Sequence, residues 1–285
     1  MQIARTIAET RAAVALLRAS GSTIGFVPTM GALHAGHISL VRAAREACDA
    51  VVVSIFVNPT QFGPHEDFSK YPRTFDADRA LLEAENVDLL FAPDAAAIYP
   101  TGATTVVDAE RISACLDGKS RPGHFRGVAT VVASLFHIVA PNQAFFGQKD
   151  AAQVAILRRM VRDLHFDLDL VVCPIVREPD GLAMSSRNRY LSPEDRQLAL
   201  VLSRALRAAE ERVAAGITDS TALLQAGQTV LAQEPSVRLD YFRIVNPDTL
   251  EDLPDICSGA LIAIAAYVGS TRLIDNLLLA APAAQ

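Results

Sequence analysis

The chain has 285 residues, a formal net charge of -6, a hydrophobic fraction of 51% and a charged fraction of 20%. This composition excludes a disordered chain, and the acidic balance argues against a general nucleic-acid binder, because backbone phosphates attract basic surfaces. The four cysteines form no Cys-x-x-Cys pair, which argues against a zinc framework or a disulfide scaffold and favours reduced thiols.

No stretch of the sequence has the pattern of a targeting or membrane segment. The first twenty residues carry charges throughout and lack the apolar core of a signal peptide. The apolar run at 259–269 is too short to cross a bilayer. We therefore expect a cytoplasmic protein with neither a membrane nor a nucleic acid as partner.

Strand-like and helix-like segments alternate through the first 176 residues. Apolar runs predict strands at 23–29, 50–59, 87–93, 143–147 and 168–176, and helical periodicity predicts helices at 37–49, 74–86, 127–141 and 150–164. Such alternation indicates βαβ units and a parallel sheet. The predicted class is α/β, a Rossmann-like doubly wound parallel sheet.

The pattern changes after Val176. A polar link ends at Ser192, which can cap a helix with Pro193 at its first position. Predicted helices at 193–216 and 220–234 precede predicted strands at 237–245, 259–269 and 271–279. We therefore predict two domains, a catalytic domain at 1–176 and a smaller α+β C-terminal lid domain at 177–285.

Two histidines, His34 and His37, follow the first predicted strand in a pattern T-x-G-x-x-H-x-G-H. A loop at the carboxyl edge of a parallel sheet, followed by a helix N-terminus, is suited to binding an anion. We expect the helix to begin near His37, Gly36 to give a large group access to the backbone, and an imidazolium to neutralise charge on phosphate. No third ligand occurs at metal spacing, so no metal site is predicted.

A lone histidine near a helix start is commonly an ordinary surface residue, whereas the full pattern is more specific. The other histidines, His65, His124, His137 and His165, are interpreted as structural or surface residues.

Three further segments carry polar groups suited to the same ligand. The link offers Ser185, Ser186 and Arg187, with Gly181 as a hinge for a lid. Residues suited to adenosine and phosphate follow the fourth predicted strand, and amides that can bind hydroxyl or carboxylate groups follow the second. These are Gly147, Lys149, Asp150 and Gln153, and then Asn58 and Gln61 beside Tyr71. For Asn58, before Pro59, a turn role is the alternative.

Nearly the whole chain resembles the pantothenate synthetase (pantoate–β-alanine ligase) family of the His-x-Gly-His nucleotidyltransferase superfamily. The resemblance lies in six ordered words: PTMGALHAGH, VNPTQFGPHEDFSKYPR, GHFRGVATVV, FGQKDAAQ, REPDGLAMSSRNRYLS and TRLIDN. It implies condensation of (R)-pantoate with β-alanine through a pantoyl-adenylate, with release of AMP and pyrophosphate. It implies ATP as co-substrate with Mg²⁺, no tightly bound organic cofactor, and a homodimer.

The resemblance also implies roles for individual residues. His37 matches the proton donor, and His34 lies against the phosphates. Gln61 matches a residue that binds both pantoate and β-alanine, and Gln153 one that binds pantoate. The implied ATP-binding residues are Met30, Gly31, Ala32, Leu33, His34, Ala35, Gly36, His37, Gly147, Gln148, Lys149, Asp150, Val176, Met184, Ser185, Ser186 and Arg187. Ala35 and Gln148 replace glutamates common in the family.

Charge builds up on the phosphates when the carboxylate attacks ATP. His34, His37, Lys149, Ser185, Ser186 and Arg187 are the candidates to stabilise it. Asp76 and Asp78 are candidate outer partners of the magnesium ion, and Arg121 contacts a carboxylate or forms a structural ion pair. The alternative functions are another ATP-dependent nucleotidyltransferase of the superfamily and a nucleotide-sensing module without turnover.

Overall fold

The larger of two sheets is entirely parallel. The structure, a computed structural model, describes residues 1–64 and 66–280, so His65 lies outside it. The strands of this sheet in the described chain are β1 Gln2–Ala4, β2 Ile24–Thr29, β3 Ala50–Ile55, β4 Leu89–Phe91, β5 Gln143–Gly147 and β6 Asp169–Cys173. Their spatial order is β1-β4-β3-β2-β5-β6.

Helices cover both faces of this sheet. Those preceding or joining its strands are α1 Ile7–Ala19, α2 Ala35–Ala47, α3 Phe75–Ala84, α4 Ala95–Ile98, α5 Asp117–Ser120, α6 His124–Val139 and α7 Ala151–Asp163. Alternate strand residues point to opposite faces. Phe26 and Val52 pack in a core with α1, α6 and α7, whereas Val27 and Val53 pack in a core with α2 and α3. The doubly wound prediction is confirmed.

The edge strand β1 and helix α1 were not predicted. Three residues are too few to show an apolar period, and α1 presents a largely exposed surface with few buried residues. Thr6 nevertheless caps α1 in a capping box with Glu9. Helix α2 begins at Ala35, two residues before the predicted start, because His34 takes the extended conformation of an N-cap.

The second sheet is smaller and antiparallel. Its strands are β7 Arg238–Val245, β8 Ala260–Val268 and β9 Thr271–Leu279, in that order, and its helices are α8 Pro193–Ala214 and α9 Ser220–Leu231. Ser192 caps α8 by accepting from the Asp195 N–H, as predicted. A separate apolar core joins these elements, which confirms the smaller α+β unit. Within residues 1–64 and 66–280, no helix is both long and apolar enough to span a membrane.

Polar contacts from β9 fasten the second unit to the first. Arg272 forms an ion pair with Asp117 at 2.7 Å. Asn276 donates to the backbone oxygens of Gln148 and Lys149 at 3.0 and 2.9 Å. A cleft lies between these contacts and the carboxyl edge of the parallel sheet.

Replacing Gly127 by alanine tests how closely α6 packs on the turn after β3. A Cβ at this position would lie 2.5 Å from the Thr60 carbonyl oxygen and 2.7 Å from the Gln61 nitrogen. We expect Gly127→Ala to lower the free energy of unfolding by about 1–3 kcal/mol, because overpacking outweighs the better helix propensity of alanine. Urea denaturation measures the change, and Ser134→Ala on the same helix is the control, expected within about 0.5 kcal/mol of the parent. Unaltered stability of Gly127→Ala would contradict the packing.

Candidate active site

The site lies where the strand order of the parallel sheet reverses. From β2 the chain moves outward through β3 and β4, and then returns to place β5 on the opposite side of β2. Ligands bind at such a reversal, outside the carboxyl ends of the strands. The turn after β2 and the 3₁₀ helix Gln148–Asp150 after β5 meet there.

A deep cavity of about 230 Å³ brings most of the predicted residues together. Its lining includes Met30, His34, Gly36, His37, Asn58, Gln61, Tyr71, Arg121, Gly147, Lys149, Asp150, Gln153, Val176, Met184, Ser185, Ser186 and Arg187. It shares Lys149, Gln153 and Arg187 with a wider cleft of about 740 Å³ that reaches β9. Five predicted residues are not among those that line the cavity: Gly31, Ala32, Leu33, Ala35 and Gln148.

Asp78 holds the turn that precedes the histidines. Gly31 and Ala32 have φ values of 79° and 51°, a left-handed pair that exposes successive N–H groups. The carboxylate of Asp78, only 2% exposed, accepts from the Ala32 and Leu33 N–H groups at 2.9 and 2.8 Å. The Thr74 hydroxyl also donates to it. The expectation that Asp78 is an outer magnesium partner is therefore corrected: its oxygens are buried and bind the turn.

The two histidine rings face each other at the start of α2, with centroids 4.1 Å apart. The Gly36 N–H donates to Nδ1 of His34 at 3.2 Å, and the His34 N–H donates to Nδ1 of His37 at 3.3 Å. A nitrogen that accepts cannot carry the proton, so each neutral ring carries it on Nε2. Both rings therefore have a donor free to serve a ligand in the cavity.

Burial keeps both rings neutral. Burial, with a further contribution from the charge of Lys149, lowers the pKa of His34 to about 4. Burial, with a contribution from His34, lowers the pKa of His37 to about 3. In the ligand-free site at neutral pH both rings are therefore neutral, because burial penalises the charged form and two cations at this separation would also repel each other. Neutral N–H donors thus occupy the helix N-terminus. An imidazolium beside bound phosphate stays a prediction.

Gly36 has a role in packing that the sequence did not predict. A Cβ there would lie 2.9 Å from Cε1 and 3.0 Å from Nδ1 of His34. The missing side chain makes room for the His34 ring to fold back over the helix start. Gly36 also lines the cavity, so the expected access of a ligand to its backbone stays a prediction.

The amides after β3 form a connected pair. Asn58, 1% exposed, donates to Oε1 of Gln61 at 3.0 Å and to the Gly127 carbonyl at 3.1 Å. Its own oxygen accepts from Tyr99 and Thr60. Gln61 directs Nε2 toward the sulfur of Met30 at 3.1 Å. Asn58 therefore orients Gln61, whereas Gln61 lies at the cavity wall.

Arg121 and His124 line the cavity next to Gln61. Arg121 binds Glu66 with two hydrogen bonds of 2.7 and 2.6 Å, the structural ion pair that was one of its two expected roles. Nδ1 of His124 lies 2.8 Å from the Gln61 carbonyl oxygen, and burial with the charge of Arg121 lowers the pKa of His124 to about 4. Sequence reasoning missed His124 as a wall residue. The feature of the sequence that pointed to His124 was its place in GHFRGVATVV, one of the six segments that carry the family resemblance.

Cations and hydroxyls complete the cavity. Ser185 accepts from the Arg187 N–H and caps the 3₁₀ helix Ser186–Tyr190. Lys149 forms an ion pair with Asp150 at 3.3 Å, and Arg187 with Asp67 at 3.1 Å. Among the described residues there is no group of three or more His, Cys, Asp or Glu side chains able to hold a metal ion. The lining therefore combines three cationic side chains, those of Arg121, Lys149 and Arg187, with hydroxyl and imidazole donors.

A doubly wound sheet with a His-x-Gly-His turn, facing a lysine and a serine–arginine segment, defines a nucleotide-dependent enzyme of the nucleotidyl-transferring α/β class. The pantoate-beta-alanine ligase family model matches residues 2–278, and the chain belongs to that family. It catalyses the ATP-dependent condensation of pantoate with β-alanine to pantothenate, with AMP and pyrophosphate as the other products.

Proteins similar in sequence and in structure match this chain over nearly its full length. The pantothenate synthetase of Acidobacterium capsulatum is 66% identical over 98% of this chain and 97% of its own. The crystal structure of pantothenate synthetase from Thermus thermophilus has a TM-score of 0.93 at 50% identity, covering 97% of this chain and 99% of that one. The Francisella tularensis ligase, complexed with β-γ ATP and β-alanine, has a TM-score of 0.78 at 37% identity, covering 98% and 97%.

Substituting Asp78 tests its hold on the turn. We expect Asp78→Ala to leave two buried N–H groups unpaired, to lower the free energy of unfolding by about 1–3 kcal/mol per group, and to slow pyrophosphate release. Asp76→Asn is the matched control, because Asp76 is exposed on the same helix. Steady-state kinetics and urea denaturation measure both effects. Equal activity of the two variants would argue against the role of Asp78.

The pH dependence of stability tests the neutral histidines. The unfolded chain binds protons near the ordinary histidine pKa of 6.5, whereas His37 in the folded chain binds one only near pH 3. Stability is therefore fully present above pH 6.5 and falls as the pH drops below it. We expect His37→Gln to remove about 1–2 kcal/mol of the loss between pH 7 and 5. Parallel curves for the parent and His37→Gln would contradict the assignment.

Proposed function

We propose that the deep cavity holds ATP with its polyphosphate between the histidine turn and the 185–187 segment. The observation that carries this proposal is the pair of neutral Nε2–H donors at the N-terminus of α2, in the same cavity as Lys149 and Arg187. Backbone N–H groups at a helix start attract an anion, and the cations add charge. In this proposal the adenine contacts the backbone at Val176.

In the first step the pantoate carboxylate attacks the α-phosphorus and pyrophosphate leaves. Negative charge then grows on the phosphate oxygens, where donors fixed in advance stabilise the transition state most. We assign this role to His34, His37, Lys149, Ser185, Ser186 and Arg187. His37 donates from Nε2 as a neutral imidazole, because its Nδ1 already accepts from the backbone.

Gln61 and Gln153 are proposed to bind pantoate. Both line the cavity, and an amide can donate to hydroxyl and carboxylate oxygens without repelling them. The hydrogen bond from Asn58 holds Oε1 of Gln61 and leaves the Nε2 hydrogens toward the cavity, beside Met30. Asn58 therefore acts by positioning Gln61.

In the second step the amine of β-alanine attacks the acyl carbon and AMP leaves. The relative from Francisella was crystallised with β-alanine. We propose that Gln61 and the wall formed by Arg121 and His124 receive this substrate, since the guanidinium of Arg121 can attract its carboxylate. Arg121 keeps its ion pair with Glu66 as an anchor.

The cavity contains a carboxylate that could contact Mg²⁺. Asp150 is a cavity carboxylate near Lys149, and it would reach an ion that arrives on the phosphates. Such an ion neutralises phosphate charge when bound.

We further propose, on family membership, that residues 1–176 bind ATP and pantoate and that residues 177–285 act as a lid. We also propose that the protein is a cytoplasmic homodimer.

The half-reaction tests the proposal. Protein mixed with ATP and pantoate but no β-alanine is expected to release a burst of pyrophosphate, and adding β-alanine to give steady formation of AMP. We expect His37→Ala to slow the burst about 100- to 1,000-fold, with a far smaller change in ATP affinity, because its N–H acts in the transition state. His137→Ala, exposed on α6, is the matched control.

Two results would overturn these assignments. An equal loss of rate and ATP affinity in His37→Ala would make His37 a binding contact only. Absence of any pantoate-dependent pyrophosphate release would indicate another nucleotidyltransferase, whose own acceptor is missing from the mixture.

A further inference from the structure

Asn276 reaches from the second sheet to the backbone that carries Lys149. It lies near the middle of β9, is 2% exposed, and belongs to neither the cavity lining nor the wider cleft lining. Lys149 follows β5 of the first sheet, 127 residues earlier in the chain. The contact therefore joins the two units at the edge of the site.

All three hydrogen bonds of the Asn276 side-chain amide are made to Gln148 and Lys149. Nδ2 donates to the Gln148 carbonyl at 3.0 Å and to the Lys149 carbonyl at 2.9 Å. Oδ1 accepts from Nε2 of Gln148 at 2.9 Å. An amide has two donor hydrogens and an acceptor oxygen, so the side chain is fully used in holding residues 148 and 149.

The segment needs such a support because it is short and irregular. Gln148–Asp150 is a single turn of 3₁₀ helix between a strand and α7, and its N-cap makes no side-chain hydrogen bond. A buried carbonyl without a donor costs about 1–3 kcal/mol, so the turn would shift if the amide were lost. Lys149 would move with it, since its stem leaves the backbone between the two held carbonyls.

A neighbouring residue on β9 anchors the other phosphate segment. Asp275, 3% exposed, binds Arg177 with two hydrogen bonds of 2.7 and 2.9 Å. Arg177 begins the stretch that leads to Ser185 and pairs with Ala183 across a β-bridge. One strand of the second unit thus holds the base of both segments that face the polyphosphate.

We propose that Asn276 is a positioning residue for adenylation, acting through Lys149. The inference rests on the proposed function, in which Lys149 contacts the ATP phosphates. A displacement of about 1 Å in such a group can cost on the order of a hundredfold in rate. The second unit therefore sets the position of a group that the first unit supplies.

A double-mutant cycle tests this coupling. Asn276→Asp keeps the shape and places an oxygen where the donors were, against two carbonyl oxygens. We expect it to slow pantoate-dependent pyrophosphate release by roughly a hundredfold in the parent, and by less than about threefold in a Lys149→Ala background. Asn276→Ala, which introduces no charge, is expected to act in the same direction and covers the case in which Asn276→Asp fails to fold.

The matched control is Asn246→Asp, in the same unit. Asn246 accepts from the Asp248 and Thr249 N–H groups through an oxygen that aspartate would retain, and it lines neither cavity. We expect parental activity from it. Thermal unfolding of each variant reports stability separately from rate.

The outcomes of the cycle distinguish the positioning role of Asn276 from the proposed role of Lys149 in binding ATP. A Lys149→Ala enzyme with the parental rate would overturn the assigned role of Lys149, and the inference with it. If Lys149→Ala is slow but the Asn276 substitutions reduce its rate by the same factor as in the parent, Asn276 does not act through Lys149. The proposed function would then stand without the inference.

Discussion

The hydrogen bonds between histidine Nδ1 atoms and backbone N–H groups at the start of α2 determine the chemistry of the site. They fix the Nε2–H tautomer in both rings, and burial keeps the rings uncharged. A helix N-terminus equipped with neutral donors can accept the full charge of a triphosphate without two buried cations repelling each other beforehand. Positive charge enters from Lys149 and Arg187, each held by its own carboxylate.

Distant elements hold the phosphate-binding segments in place. Asp78 on α3 binds the turn before the histidines, and Asn276 on β9 binds the turn before α7. Both side chains are almost fully buried, and each makes two hydrogen bonds to backbone groups and at least one to a side chain. The held segments are short, so these long-range contacts add to the few hydrogen bonds that each segment makes within itself. The turns beside the proposed donors are therefore held by residues that lie on regular elements.

The main elements could be predicted because each buries an apolar face with its own period. The turn before α2 could be recognised as a candidate phosphate site because its glycines and histidines are local to one strand–helix junction. The supports were not predicted as such. Asp78 lies 46 residues from the Ala32 N–H that it binds, and Asn276 lies 128 residues from Gln148. An aspartate near a helix start and an asparagine in a strand have no local pattern that reveals a partner so far along the chain.

The sequence by itself determined the fold class, the reaction and the set of residues around the cavity, because periodicity and ordered motifs are local properties of the chain. Tertiary structure alone decided the protonation of His34 and His37, the use of Gly36 to accommodate a ring, and the backbone roles of Asp78, Asn58 and Asn276. The physical reason is that burial and hydrogen-bond partners depend on which segments meet. Only the folded chain brings α3, β9 and the two phosphate turns together at one edge of the parallel sheet.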